Sequence, residues 1–131
     1  MASNRPDSRE LIEAIREMME SHLLPALEDQ NLVYQCRVSV NILRIVEREL
    51  QQRAAMDTGE QQRLRQLLEL EGDLDSLNRE LVQRIRQGAF DSDDAALLDH
   101  LKATTLDKIA IDNPRYSTYR DYLEQGELTR Y

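Results

Sequence analysis

Arg37, Asn41, Arg44 and Arg48 recur on one side of a helix-prone stretch. At 100° per residue they fall within an arc of about 60°. No carboxylate shares that arc, and Arg44 and Arg48, four residues apart, repel each other by roughly 0.2–0.5 kcal/mol unless an anion is supplied. An array of guanidinium and amide donors suits a carboxylate or phosphate ligand, because planar multi-donor groups grip such anions better than lysine does. The anion can equally be a carboxylate on another helix of the same acidic chain.

A second constellation comprises Thr104, Thr105, Lys108, Asp112, Asn113, Pro114, Arg115 and Tyr116. Thr104, Lys108 and Asp112 form one stripe at i, i+4 and i+8. Asp112 stands at the negative end of a helix dipole, the wrong end for an acid, so Lys108 or Arg115 is expected to compensate it; Lys102 is too far along the helix. The group reads either as a polar pocket or as a corner in which Asp112 and Asn113 hydrogen-bond the turn. Asn78 can join either arrangement. Neither His22 nor His100 has a local metal-ligand pair at helical spacing. His22 is expected at a helix C-terminus or rim, and Cys36, on an apolar arc, as an inert core thiol. No phosphate loop, His-Glu-x-x-His, Cys-x-x-Cys or nucleophile elbow occurs in the sequence, so no catalytic residue, metal or cofactor is assigned.

Helices must hold these residues. Four glycines and three prolines punctuate the chain, at Pro6, Pro25, Gly59, Gly72, Gly88, Pro114 and Gly126, and the long intervals of Leu, Glu, Gln and Arg suit helices rather than hairpins. Asp7 with Glu10 predicts a capping box and a first helix to about Leu23, burying Leu11, Ile12, Ile15, Met18, Met19 and Leu23; Pro25 ends or kinks it. A second helix over about residues 32–53 spans about 33 Å. Its wide arc of Leu32, Cys36, Ile42, Leu43, Val46 and Leu50, with Val38, Val40 and Ile45 on the shoulders, makes it the central helix and leaves apolar surface for a second copy of the chain to cover.

Thr58 with Gln61 predicts a further capping box and a third helix bearing Leu64, Leu67, Leu68 and the stem of Glu71, closed by Gly72. A fourth, over about residues 73–87, buries Leu74, Leu77, Leu81, Val82 and Ile85, with Gly88 as its left-handed cap. A fifth opens at Asp91-Ser92-Asp93-Asp94, presents Leu97, Leu98, Leu101, Leu106 and Ile109, and stops near Ile111 ahead of Asn113-Pro114. Beyond it lie four of the five tyrosines, Tyr116, Tyr119, Tyr122 and Tyr131, with Tyr116, Tyr119 and Leu123 on one face of a short helix ending near Gly126. The expected fold is all-α: a single-domain bundle of about five main helices with a long central second helix and a short C-terminal helix. Residues 1–116 form the bundle domain and 117–131 a tyrosine-rich tail.

The chain has 131 residues, and 17 basic against 25 acidic residues give a net charge of −8. That balance disfavours a general nucleic-acid coat or a polybasic membrane anchor. A lone cysteine makes neither an internal disulfide nor a cysteine-cluster metal site. Uncharged stretches such as residues 21–27 are too short to span a bilayer, and Arg5, Asp7, Arg9 and Glu10 stand where a signal peptide needs an apolar run. A cytoplasmic protein is expected, without nucleic-acid or membrane partners.

The strings Arg37-Val38-Ser39-Val40-Asn41 leading to Glu47-Arg48-Glu49-Leu50, then Leu77-Asn78 with Ile85-Arg86-Gln87-Gly88, and Leu101-Lys102-Ala103-Thr104-Thr105-Leu106 through Lys108 to Asp112-Asn113-Pro114-Arg115-Tyr116 resemble an uncharacterised bacterial domain family. The resemblance covers about residues 8–116. Members of that family are usually encoded beside an aminoglycoside-phosphotransferase-like kinase and an acyl-CoA dehydrogenase, and no activity or catalytic residue is carried over from them. The resemblance implies a helical accessory protein working with a kinase-like or acyl-CoA-dehydrogenase-like partner. The alternative is a protein or enzyme that takes an acyl-phosphate or CoA-type anion on Arg37, Asn41, Arg44 and Lys108.

Overall fold

The structure, a computed structural model, describes residues 4–125 and is helical throughout, with no strand among those residues. It contains α1 (Ser8–Met18), α2 (Gln30–Leu68), α3 (Leu74–Arg86), α4 (Ala95–Asp112) and the short α5 (Ser117–Gln125). The expected all-α class with a long second helix and a short C-terminal one is what forms. Gly126 and Tyr131 lie outside the described residues. The described residues fall into two compact units, one running to Arg53 and the other beginning at Ala54, so α2 contributes to both.

In the first unit, Asp7 caps α1 by accepting the Glu10 N–H at 2.8 Å. The other half of the expected capping box is absent, because the Glu10 carboxylate pairs with Arg5 instead. After Met18 the chain widens into a π-helical turn over Met19–Leu23 and tightens into a 3-10 turn over Leu24–Ala26. Pro25, which lacks an N–H and fixes φ, ends the helix as expected. Asp29 caps α2, its carboxylate accepting the Asn31 N–H and its carbonyl the Val33 N–H. Ile12 and Met19 are half-buried, whereas Leu11, Ile15, Met18 and Leu23, expected inside, are exposed. Among the described residues of this unit, only Cys36 and Val40 are fully buried.

The expected second and third helices are one. No break occurs at Thr58-Gly59: the Thr58 hydroxyl donates back to the Ala54 carbonyl at 3.0 Å rather than accepting at a new N-terminus. Strong helix formers on both sides, Gln51 to Met56 and Glu60 to Arg63, outweigh a single glycine costing about 1 kcal/mol. Gln61, freed from capping, donates to the Gly72 carbonyl at 2.9 Å and fastens the following loop. The 39-residue helix is about 58 Å long at 1.5 Å per residue. It ends at Glu69, whose φ of 54° takes the left-handed position usually given to glycine.

The second unit is built on Leu64, Leu68, Leu77, Leu81 and Leu97, with Leu67, Leu74 and Phe90 packed against them. Asp73 caps α3 through the Ser76 N–H at 2.8 Å. At the other end Gly88 (φ 77°) donates to the Ile85 carbonyl and Ala89 to that of Arg84, the paired bonds of a Schellman cap. Arg84 also donates to the Leu68 carbonyl at 3.0 Å, satisfying an open acceptor at the end of α2. Asp94 caps α4 by accepting the Leu97 N–H.

The buried face of α4 differs from the expected one. Leu98 and Leu101 are exposed, and Leu97, His100 and Ile111 are buried, with Thr104 half-buried on the same stripe. A helix with Leu, Ile or Ala on nearly every side has no dominant apolar stripe, so its periodicity does not select a face. Finally, Lys102 lies 4.8 Å from the centre of the Tyr122 ring, a cation–π contact that ties α5 to α4.

Candidate functional site

Of the first arginine constellation, Arg44 lies in an internal ion-pair network. Arg44 donates to Glu20, Arg16 donates to Glu20 at 3.1 Å and to Glu47 at 2.6 Å. The anion that Arg44 lacks on its own helix therefore comes from the π-helical turn after α1. Bonds from Arg16 and then Arg44 hold the Glu20 carboxyl below its ordinary pKa despite partial desolvation. The Arg16 guanidinium is held charged chiefly by its bond to Glu47. Arg37 and Asn41 are exposed, and Arg48 is half-buried.

The second unit holds a polar cluster that sequence spacing does not reveal. His100, 4 % exposed, is the one buried polar side chain among the described residues. Arg63, 37 residues before His100 and on the second half of α2, donates from Nε to His100 Nδ1 at 3.2 Å and from Nη2 to Thr104 Oγ1 at 3.2 Å. One turn before it, Glu60 accepts from the Asn78 amide at 3.3 Å. Asn78 and Thr104, both expected at a site, are thus engaged by residues of α2 that were not. A cavity of about 240 Å³ opens beside the cluster, lined by Arg63, Gln66, Leu67, Ala96, Asp99 and His100.

The Arg63 bond sets the chemistry of His100. Accepting an N–H at Nδ1 requires that nitrogen to be unprotonated, so the neutral ring carries its proton on Nε2. Burial and, next, the Arg63 charge push the His100 pKa below its ordinary value, with Glu60 opposing. At neutral pH the ring is a hydrogen-bond donor through Nε2, and its basic nitrogen is occupied.

The α4 end forms a separate cavity of about 300 Å³, lined by Lys108, Ile109, Asp112, Asn113 and Tyr116. The structure therefore brings together Lys108, Asp112, Asn113 and Tyr116 of the second constellation, but Thr104 turns to Arg63 instead. Asp112 forms no ion pair with Lys108 or Arg115 among the described residues. It is exposed, and water provides the compensation expected of those cations. The corner itself is closed by backbone: Asn113 donates to the Ile109 carbonyl at 2.8 Å, and Tyr116 donates to that of Asn113 at 3.1 Å.

The family described as a domain of unknown function, DUF6285, matches residues 25–116, well over half of the chain. The chain belongs to this family. The matched segment takes in α2, α3 and α4 and every candidate site residue from Arg37 to Tyr116, while α1 and α5 lie outside it. No curated protein and no solved structure matches the chain. Within this DUF6285 domain, the Arg63–His100 pairing left one trace in the sequence. His100 and Thr104 are polar residues at i and i+4 on a helix that is otherwise apolar on most sides, a pattern that calls for a buried polar partner. No helix among the described residues is long and apolar enough to cross a membrane.

Proposed function

We propose that this protein is a non-catalytic helical accessory protein that docks a folded protein partner through an apolar face of its first unit. The observation that carries the reading is the stripe Leu11, Ile15 and Met18 on α1, at i, i+4 and i+7, with 51 %, 49 % and 48 % of each residue exposed. Val38 and Ile42 make a similar exposed pair on α2. Helix faces of this spacing are anchors for a groove on another protein. The family resemblance supports a kinase-like or acyl-CoA-dehydrogenase-like partner.

The test is co-purification of the full chain with each of those two proteins from neighbouring genes. One of them is expected to bind, and Ile15→Glu with Ile42→Glu is expected to abolish capture without altering the circular dichroism spectrum. Sedimentation of the protein alone separates this outcome from a face covered by a second copy: a dimer that the same substitutions dissociate would replace the partner reading.

A second reading, retention of an acyl-phosphate or CoA-type anion, is favoured by the Lys108 cavity with its Asn113 and Tyr116 walls. It predicts that acetyl phosphate or CoA raises the melting temperature of the wild type but not of Lys108→Ala.

A further inference from the structure

We propose that the cavity beside Arg63 and His100 is a binding site for a small aliphatic carboxylate. The site rests on residues of the second unit alone and does not depend on the docking face of the first.

Arg63 is half-buried, yet both of its acceptors, His100 Nδ1 and Thr104 Oγ1, are neutral. No carboxylate among the described residues lies within 4.0 Å of it, whereas Arg16, Arg44, Arg53, Arg65 and Arg84 each have one. A guanidinium has five N–H donors. Two are committed, and no buried side-chain nitrogen or oxygen lacks a partner, so the remaining Arg63 donors are open to an incoming acceptor. Two of them side by side match the two oxygens of a carboxylate.

The rest of the lining narrows the ligand. Leu67 and Ala96 give the cavity an apolar wall against which a short alkyl chain can lie. Its volume of about 240 Å³ is below the roughly 300–1,000 Å³ of sites for drug-sized ligands, which fits a short-chain acid. Asp99 also lines it, and its carboxylate repels an anion, the more so a dianion. A monoanionic carboxylate is therefore favoured over phosphate. His100, which lines the cavity, carries its proton on Nε2 as a neutral donor, and a positively charged ring would require Arg63 to give up its bond to Nδ1.

The experiment is a titration of the ¹⁵N-labelled full chain with sodium butyrate at constant ionic strength, read on the imidazole ¹⁵N–¹H correlations of its two histidines. The His100 signals are expected to shift saturably while those of His22 stay still. Asp99→Asn, at an exposed position, should tighten butyrate binding a few-fold. Arg63→Gln should weaken it by at least about tenfold, as expected for loss of a charge-assisted bond. Equal shifts with sodium chloride, phosphate binding as tightly as butyrate, or weaker binding in Asp99→Asn would each overturn the proposal. So would preferential binding of butylamine, which would make Asp99 the anchor. If Arg63→Gln does not fold, the Asp99→Asn comparison still decides.

Discussion

In the first unit Arg16 and Arg44 face Glu20 and Glu47, whereas in the second Arg63 faces His100 and Thr104. Both arrangements place guanidinium groups partly out of water, where an unmatched charge is costly. In the first, the cost is met by carboxylates of the same chain, and the result is a closed network that fastens α1 to α2. In the second, neutral acceptors orient the cation without cancelling its charge, which leaves it available to an anion from outside. The cores differ in the same direction. The second unit buries leucines from three helices, while the first buries Cys36 and Val40 and leaves its α1 stripe in water. Hence the second unit has a filled leucine core, whereas the first joins fewer buried residues to an ion-pair network.

The largest expected effect tests that division. Leu77→Ala should cost about 2–5 kcal/mol by creating a cavity in a filled site, and Leu43→Ala, at a half-buried position of the first unit, less than about 2 kcal/mol. Urea unfolding of both variants measures the contrast. Equal costs would mean that the first unit is as well packed as the second.

Arg16→Met should follow, at about 1–3 kcal/mol, because it leaves Glu47, with 16 % of its side chain exposed, without its charged donor. Raising the salt concentration should weaken the wild type more than this variant. A stability change identical in low and high salt would show that packing of the Arg16 stem, and not its charge, holds the helices.

The pH dependence separates the units by window. His100 has a folded pKa below its unfolded value of 6.5, so the unfolded chain takes up a proton first as pH falls. Stability from the neutral ring is complete above about pH 6.5 and declines below it, by at most about 1.4 kcal/mol per pH unit, until the folded ring also titrates. Glu20 has a folded pKa below 4.5; its contribution is complete above that value and is lost as pH falls through the lower folded one. Chemical denaturation between pH 7.5 and 5.5 should therefore show a decline that His100→Gln removes and Glu20→Gln does not. The smallest effect is expected at a helix end: Asp94→Ala should cost about 1 kcal/mol through loss of the α4 cap, read as a shift in the urea midpoint.

Much of the fold was legible in advance because it is locally encoded. The caps at Asp7, Asp73 and Asp94 and the left-handed Gly88 use side chains or backbone freedom within a few residues of where they act. The leucine stripe of α3 placed Leu77 and Leu81 correctly inside, whereas Val82 and Ile85, expected beside them, are exposed. The same local logic misplaced a helix end at Thr58-Gly59, because a possible cap there competes with continuation into flanking helix formers, and continuation keeps more hydrogen bonds.

The candidate site was less legible. The polar pattern identified Lys108, Asp112, Asn113 and Tyr116 as neighbours because they are close in sequence, and they do share a cavity. The partner of Arg44 and the face of α4 could not be read in this way. Glu20 and Arg44 are 24 residues apart, and Arg63 and His100 are 37 apart; such pairs exist only once helices have docked. The amino-acid sequence by itself determined that the chain is helical, where most helices begin, and that Leu77 and Leu81 of α3 are inside, since each of these follows from interactions within one or two turns. The tertiary structure decided which arginines are neutralised, that His100 is buried, and that Arg63 holds it in place, because an apolar helix has no preferred face until a specific partner on another helix selects one.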